Sequence, residues 1–217
     1  MMKSFWRRGR IFVSTVLGLA ACSHEPPPPP PVLSVTATCT PTPSLAGATV
    51  AVFNPKDEMP VSEDVGANAP CFEPSPGVKS LYRVFVLPPS DIPYVVSVAS
   101  TPVGTGVFAP HLTLLDAQGL PRREIPRDSF IFRGTDLSVL FRNHADERYL
   151  LVASDPSVVG QSFSRLQETR NANEMGAITA AGGAFFTVYT GTDTTTNLVY
   201  AHSGKVTVTL SAVPAAK

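Results

Sequence analysis

The hydrophobic pattern of the chain becomes strand-like at Leu81 and stays so almost to the end. Short runs rich in β-branched, aromatic and aliphatic residues cover residues 81–87, 94–100, 111–116, 129–133, 136–142, 148–154, 184–190, 197–201 and 205–213. In one of them, Leu137, Val139 and Phe141 share a face, as expected for a strand with one buried side. The pattern predicts an all-β fold, an antiparallel β-sandwich of jelly-roll or immunoglobulin-like type, over residues 81–213.

Turn-forming residues separate these runs, and one segment between them is different. Prolines, glycines and small polar residues lie at 88–91, 117–119 and 191–193, where they predict turns. Residues 161–175 are polar and lack strand alternation, and we predict a short helix there.

Residues 36–80 have a different composition and predict a segment that wraps the domain. Seven prolines lie between Pro41 and Pro76, and only residues 48–53 have the composition of a strand. Because proline cannot donate to a β ladder, this segment is excluded from the middle of a sheet.

The N-terminus predicts an export signal. Lys3, Arg7, Arg8 and Arg10 form a basic start without acidic residues, and an apolar stretch follows over 11–21. As a helix at about 1.5 Å per residue, this stretch would cover about 17 Å, roughly half of a hydrocarbon core of about 30 Å. The stretch is therefore too short for a spanning anchor.

The end of the apolar stretch predicts a lipid anchor. The sequence Leu19-Ala20-Ala21-Cys22 resembles a lipobox, in which small residues admit the signal peptidase and the thiol accepts a diacylglycerol. We predict a signal peptide over 1–21, a lipidated Cys22 and a periplasmic protein attached to a membrane. Ser23 follows, and by resemblance to the usual sorting pattern this indicates the outer membrane. The alternative is an ordinary signal peptide followed by an incidental cysteine.

The linker after the anchor is dominated by proline. An unbroken proline run over 26–31, inside a linker over 22–35, predicts a stiff polyproline II tether at about 3.1 Å per residue. We interpret it as a spacer; the alternative is a ligand for an SH3-type domain, which an exported protein rarely meets.

Two cysteines remain once Cys22 is assigned to the lipid. An oxidising periplasm favours a disulfide between Cys39 and Cys71, and two free buried thiols are the alternative. No CxxC motif or clustered histidine accompanies them, so we predict no metal site and no cofactor.

The charge of the chain gives no indication of nucleic-acid binding. The sequence has 17 basic and 17 acidic residues, and removal of the predicted signal with its four basic residues leaves 13 basic ones. A weakly acidic chain without a basic stripe is not expected to bind nucleic acid.

Several motifs could carry chemistry, and each has a simpler structural interpretation. Residues 104–109 match G-x-G-x-x-[GA], but Pro110 follows where a dinucleotide site needs a helix, so we predict a glycine bend in a strand. Gly204-Lys205 lacks the hydroxyl residue of a phosphate loop and predicts a hairpin turn.

The titratable residues do not predict an active site. The four histidines are His24, His111, His144 and His202, and none has metal-ligand spacing. Acidic neighbours at 57–58, 63–64 and 146–147 lie in predicted loops, where we expect them to be solvated. No G-x-S-x-G elbow is present, so we predict no catalytic residues and a protein that is not an enzyme, with an unrecognised hydrolase as the weaker alternative.

Tyrosines are the remaining candidates for a ligand site. Tyr82, Tyr94 and Tyr149 could present flat rings to a sugar, although packing in the core or at an edge is the interpretation that we favour. The only tryptophan, Trp6, lies in the predicted signal.

One stretch resembles a known family. Val107-Phe108-Ala109-Pro110, the Leu114-Leu115-Asp116 run and the later residues Pro121, Pro126, Phe130, Phe132, Leu137, Phe141, Tyr149 and Leu151 follow each other in an order similar to the maltose-operon periplasmic protein (MalM) family. The resemblance covers about Leu81 to Asp155, with a fainter echo at 206–213. It implies a non-catalytic accessory of carbohydrate transport, with maltodextrin or a sugar-transport component as partner, and it supplies no catalytic residues. A structural envelope adaptor that binds another protein is the alternative.

Overall fold

The described part of the chain contains fourteen strands. The computed structural model describes residues 26–90, 92–179 and 182–213. Apart from a turn of 3-10 helix at Arg127–Ser129, the regular elements of this part are strands. They are Thr49–Val50 (β1), Val61–Val65 (β2), Cys71–Ser75 (β3), Val78–Val86 (β4), Tyr94–Thr101 (β5), Gly106–Phe108 (β6), Pro110–Leu115 (β7), Pro121–Ile125 (β8), Ile131–Arg133 (β9), Asp136–Arg142 (β10), Tyr149–Ser154 (β11), Ser162–Thr179 (β12), Gly182–Ala201 (β13) and Gly204–Ala212 (β14).

Two sheets pack face to face, and the predicted all-β sandwich is confirmed. The first sheet has the order β1-β4-β11-β7-β8, with β3 also paired to β4, and the second has the order β2-β14-β5-β10-β9. Phe85 and Leu114 of the first sheet share one buried cluster with Val98 and Val208 of the second. Alternation along β5 and β14 places every second side chain in this cluster, as the pattern at 206–210 indicates.

The outermost strands of both sheets are short, charged or broken by proline. Strand β8 has the sequence PRREI, β2 has the sequence VSEDV, and β9 and β1 have only three and two residues. Pro121 lies in the edge strand β8, and Pro110 is the first residue of the internal strand β7; both are positions where proline's missing N–H is tolerated.

Residues 36–80 contribute more strands than predicted. Only two residues of the expected strand at 48–53 pair in register, as β1, while β2 and β3 were not expected. Strand β2 pairs with β14 and β3 with β4, both at edges. The apolar signal of these two strands is weak because β2 has Glu63 between Val61 and Val65 on one face, and β3 contains Pro74.

A disulfide joins Cys39 to Cys71, as predicted. The two Cα atoms lie 4.9 Å apart across a sequence separation of 32 residues. Beside the bridge, the Thr40 N–H donates to the Cys71 carbonyl and the Glu73 N–H donates to the Thr40 carbonyl. The bridge and these bonds fix the wrapping segment against β3.

Strands β12 and β13 form a long hairpin, which we call the arm. Its antiparallel register runs without interruption from Ser162↔Val199 to Thr179↔Gly182. The helix predicted over 161–175 is therefore wrong, and so is the turn predicted at 191–193, because both segments lie inside strands. Polar residues gave no strand alternation there, and the continuous ladder with β13 decides the conformation.

Aromatic side chains fix the base of the arm to the sandwich. The Phe163 ring lies 4.6 Å from Tyr200 and 5.7 Å from Phe132 of β9, centroid to centroid. The Arg127 guanidinium lies 4.7 Å from the Tyr200 ring centroid and that of Arg165 4.6 Å from the Phe132 ring. Strand β6 pairs with β13 over Val199–Ala201 on the other side of the base.

Candidate functional site

A groove crosses the outer face of the first sheet, on the side away from the core. Its volume is about 750 Å³, within the range of roughly 300–1,000 Å³ that is typical of ligand pockets. It is lined by Thr42, Pro43, Leu45, Phe72, Pro74, Val78, Ser80, His111, Thr113, Leu115, Gln118, Gly119, Leu120, Pro121, Glu124, Leu151, Ala153, Ser154, Asp155 and Pro156.

The floor of the groove is apolar because the central strands of this sheet are hydrophobic on both faces. In β11, Leu150 and Val152 belong to the sandwich core, whereas Leu151 and Ala153 point outward. Leu115 of β7 joins them in a second hydrophobic cluster on the outer face. The near-continuous apolar sequence of β11 is therefore explained by two buried faces.

The wrapping segment forms one wall of the groove. The Ser44 N–H donates to the Tyr82 hydroxyl at 2.7 Å, which holds the segment against β4. Leu45 packs against the second cluster and reaches Gly119, where an added Cβ would lie 3.0 Å from Leu45 Cδ1. Gly119 has a φ of +80° as well, so both space and backbone conformation require glycine there.

Two apolar side chains of the lining are exposed to solvent. Leu120 is 61 % exposed and Val78 is 42 % exposed, and both line the groove. When a partner covers large apolar side chains beside an apolar floor, their removal from water favours binding.

The titratable side chains of the lining lie at one end of the groove. His111 Nε2 lies 3.9 Å from Glu124 Oε1, and Arg127 Nη1 lies 3.1 Å from Asp155 Oδ2. Burial raises the pKa of Asp155, but hydrogen bonds from Ser157 and the Arg127 charge outweigh this effect, so the pKa lies below its usual value. Asp155 is therefore held as a carboxylate at the mouth of the groove.

A serine–histidine pair lies beneath this end. The Ser154 hydroxyl lies 2.7 Å from His202 Nδ1 and also accepts the Leu81 N–H at 3.0 Å. Ser154 is 1 % exposed and His202 is 5 % exposed. The hydroxyl thus links β4 to the turn after β13, which is a structural task for a pair that is almost fully buried.

Burial of His202 predicts a loss of stability in acid. Desolvation lowers the pKa of the folded imidazole below its ordinary value of 6.5. The unfolded chain therefore takes up a proton first as the pH falls, so stability is intact above 6.5 and declines below it. Urea unfolding at pH 7.5 and pH 5 should show a smaller acid loss for His202→Asn than for the wild type. His111→Asn, at a partly exposed position, is the control, and an acid loss unchanged in His202→Asn would contradict the assignment.

The three tyrosines predicted to bind a ligand do not form a common exposed platform. Tyr82 is 3 % exposed and packs edge-on against Phe72, while the partly buried Tyr149 joins the same outer cluster. Tyr94 is fully buried in the other sheet, stacked on Phe53 at 4.9 Å. These rings pack against neighbouring side chains, so they do not form the sugar platform considered for them.

Three other motifs have structural explanations. The bend predicted at Ala109 is confirmed, since it separates β6 from β7 and no helix follows Gly106. Gly204 begins β14 after β13, but these strands do not pair, so the predicted hairpin is wrong. A Cβ at Gly204 would lie 2.8 Å from Phe108 Cβ, and glycine is needed for this close approach.

Two acidic residues are buried rather than solvated. Asp116 Oδ1 accepts the N–H groups of Gln118 and Leu120 and closes the turn between β7 and β8. Glu147, expected to be solvated, has a fully buried side chain and accepts two hydrogen bonds from Arg123. The sequence places Glu147 in a loop, and nothing local shows that Arg123 reaches it from β8.

The comparisons with known proteins add no relative. No family model, curated protein or solved structure matches the chain. The similarity to the maltose-operon family therefore stays a prediction from the residues that carry it.

The predicted signal over 1–21 and the predicted lipid attachment at Cys22 lie outside the described residues. Among residues that are described, no helix is long and apolar enough to cross a membrane. In the same part, no group of three or more His, Cys, Asp or Glu side chains could hold a metal ion.

Proposed function

We propose that this protein is a non-catalytic adaptor of the bacterial envelope, lipid-anchored through Cys22 on the periplasmic face of the outer membrane. The groove on the first sheet is its binding site, and an apolar segment of another envelope protein is its ligand. The observation that carries this proposal is the apolar floor at Leu151 and Ala153 with the exposed Leu120 and Val78 beside it.

The lining favours a polypeptide over a sugar. Sugars are bound through ring faces and many polar groups, whereas Phe72 is the one aromatic residue of the lining and its ring packs against Tyr82. An apolar segment could cover Leu120 and Val78 and leave its polar end beside Asp155. The buried Ser154–His202 pair supports a binding role without catalysis.

A role in carbohydrate uptake is the second candidate. The resemblance over Leu81 to Asp155 favours it, and so does the polar end of the groove, where His111, Glu124 and Asp155 could hydrogen-bond to sugar hydroxyls. In this case the protein is an accessory that binds a maltodextrin or a component of a sugar transporter.

A single charge introduced into the groove is expected to weaken partner binding. Leu120→Glu places a carboxylate where an apolar side chain is covered, and loss of about 1.5–3 kcal/mol corresponds to at least about a tenfold weaker complex. Photo-crosslinking in intact cells from a probe at Val78 should give a discrete protein adduct that Leu120→Glu removes.

The matched control is Leu140→Glu. Leu140 is 50 % exposed but lies on β10 of the other sheet, so the same substitution there should leave the adduct unchanged. Calorimetric titration with a series of maltodextrins separates the two candidates. Heat from maltodextrin that Leu120→Glu abolishes, without a protein adduct, would replace the adaptor role by sugar binding.

A further inference from the structure

The proline run does not extend freely from the domain. An added Cβ on Gly104 would lie 3.2 Å from Pro28 Cγ, and one on Gly106 would lie 2.8 Å from Pro31 Cβ. Because the two glycines of the G-x-G motif lack a Cβ, Pro28 can lie directly against Gly104 and Pro31 against Gly106. We call residues 28–32 the strap; their contacts correct the sequence-based interpretation of this part of the run as a spacer.

Hydrogen bonds fix the end of the strap. The Val32 N–H donates to Ser203 Oγ at 2.8 Å, and the His202 N–H donates to the Val32 carbonyl at 2.8 Å. The Val32 side chain also packs against the sandwich core. The strap is thus bonded to the turn between β13 and β14, at the end of the sandwich where β5 finishes at Thr101.

The chain between the strap and the predicted lipid is short. Residues 22–28 span at most about 20 Å when fully extended, at about 3.3 Å per residue. A domain of this size has a radius of gyration of about 16 Å and hence a width of about 40 Å. This linker therefore keeps the strap-bearing end of the sandwich near the lipid. It is too short for the opposite end to face the lipid instead.

The arm starts at the same end. Strand β6 pairs with β13 in parallel at Val199↔Gly106, and the Val199 N–H donates to the Thr105 carbonyl at 2.9 Å. The residues of β13 before Val199 thus continue past the beginning of β6, beyond the glycines that bear the strap. The base of the arm and the strap share this end of the sandwich.

We propose that the docked strap orients the sandwich on the membrane, with the strap-bearing end and the base of the arm facing the lipid surface. This orientation rests on the proposed lipid anchor at Cys22. It leaves residues 88–90 and the turn 117–120, at the opposite end, directed toward the periplasm.

Energy transfer from a single tryptophan tests the orientation. The predicted mature chain has no tryptophan of its own, because Trp6 lies in the signal. Asn68→Trp places one in the exposed turn after β2, beside the strap, and Ile92→Trp places one at the far end, where Ile92 is 70 % exposed. The acylated full-length protein is reconstituted in phosphatidylethanolamine–phosphatidylglycerol vesicles that contain a dansyl-labelled lipid.

We expect transfer to the dansyl lipid to be severalfold larger from Asn68→Trp than from Ile92→Trp. Gly106→Val, which places side-chain atoms where Pro31 lies, should reduce this difference. Pro28→Gly/Pro31→Gly should do the same, and it leaves the sequence of the sandwich untouched if the glycine variant fails to fold. Equal transfer from both positions in an acylated protein with an intact strap would overturn the orientation alone. A mature chain without acyl mass in mass spectrometry would overturn the anchor and the orientation together.

Discussion

Arg123→Met is expected to destabilise the domain by about 3–5 kcal/mol, the cost of leaving a buried charge without its partner. The Glu147 side chain is fully buried and receives the Arg123 Nε–H at 2.9 Å and the Nη2–H at 3.1 Å. Its second oxygen also accepts the His144 N–H. Methionine fills the space of the arginine stem but supplies neither the charge nor the two donors, and urea unfolding measures the loss.

The double variant distinguishes the ion pair from simple packing. Arg123→Met/Glu147→Leu removes both charges, and buried pairs replaced by apolar residues are often close to neutral in stability. We expect the double variant to be more stable than Arg123→Met alone. Glu147→Leu alone should cost less than Arg123→Met, since the arginine side chain is 29 % exposed and water can solvate it. Additive losses in the double variant would contradict this explanation.

Removal of the Cys39–Cys71 bridge is expected to cost about 3–4 kcal/mol on the chain-entropy model. The bridge closes a loop with a sequence separation of 32 residues, and the freed segment includes the Thr42–Leu45 wall of the groove. Cys39→Ala/Cys71→Ala should therefore lower the free energy of unfolding and weaken partner binding in the same protein. Urea unfolding and the Val78 crosslink measure the two effects.

Hydrogen exchange locates the effect of the bridge. Amides of residues 40–48 should lose protection first, because the Ser44 bond to Tyr82 then holds that wall without covalent support. Treatment with a reductant should destabilise the wild type and leave the alanine variant unchanged. Exchange that rises equally over the whole sandwich would show that the bridge does not act on the groove wall.

The second sheet could be predicted from the sequence because strands such as β5 and β14 bury every second side chain. Strand β10 has the predicted bounds 136–142, and Val206, Val208 and Leu210 lie in the core as their alternation indicates. In the arm, the strands predicted at 184–190 and 197–201 lie within β13, but β12 could not be predicted, because a polar strand gains its order from the ladder with β13 and its own sequence gives no period. Local patterns do not record a partner that lies elsewhere in the chain.

The groove and the strap depend on contacts between distant residues. The sequence marks Gly104 and Gly106 as unusual, but their purpose appears only when Pro28 and Pro31 lie on them. Likewise, the sequence analysis named Tyr82 as a candidate ligand-binding residue, whereas in the structure its hydroxyl accepts the Ser44 N–H and holds the groove wall. The near-continuous apolar sequence of β11 is the one sequence feature that indicates a covered outer face of the first sheet.

The composition of the outermost strands has a consequence for crowding. With the proposed lipid anchor, the protein would diffuse in two dimensions and collide with its own copies often, and an open sheet edge invites such copies to pair and aggregate. Strand β8 opposes this with Pro121 and three charged residues, and β2 opposes it with Glu63 and Asp64. The same charges that left these strands unrecognisable in the sequence keep neighbouring molecules apart on a densely occupied bilayer.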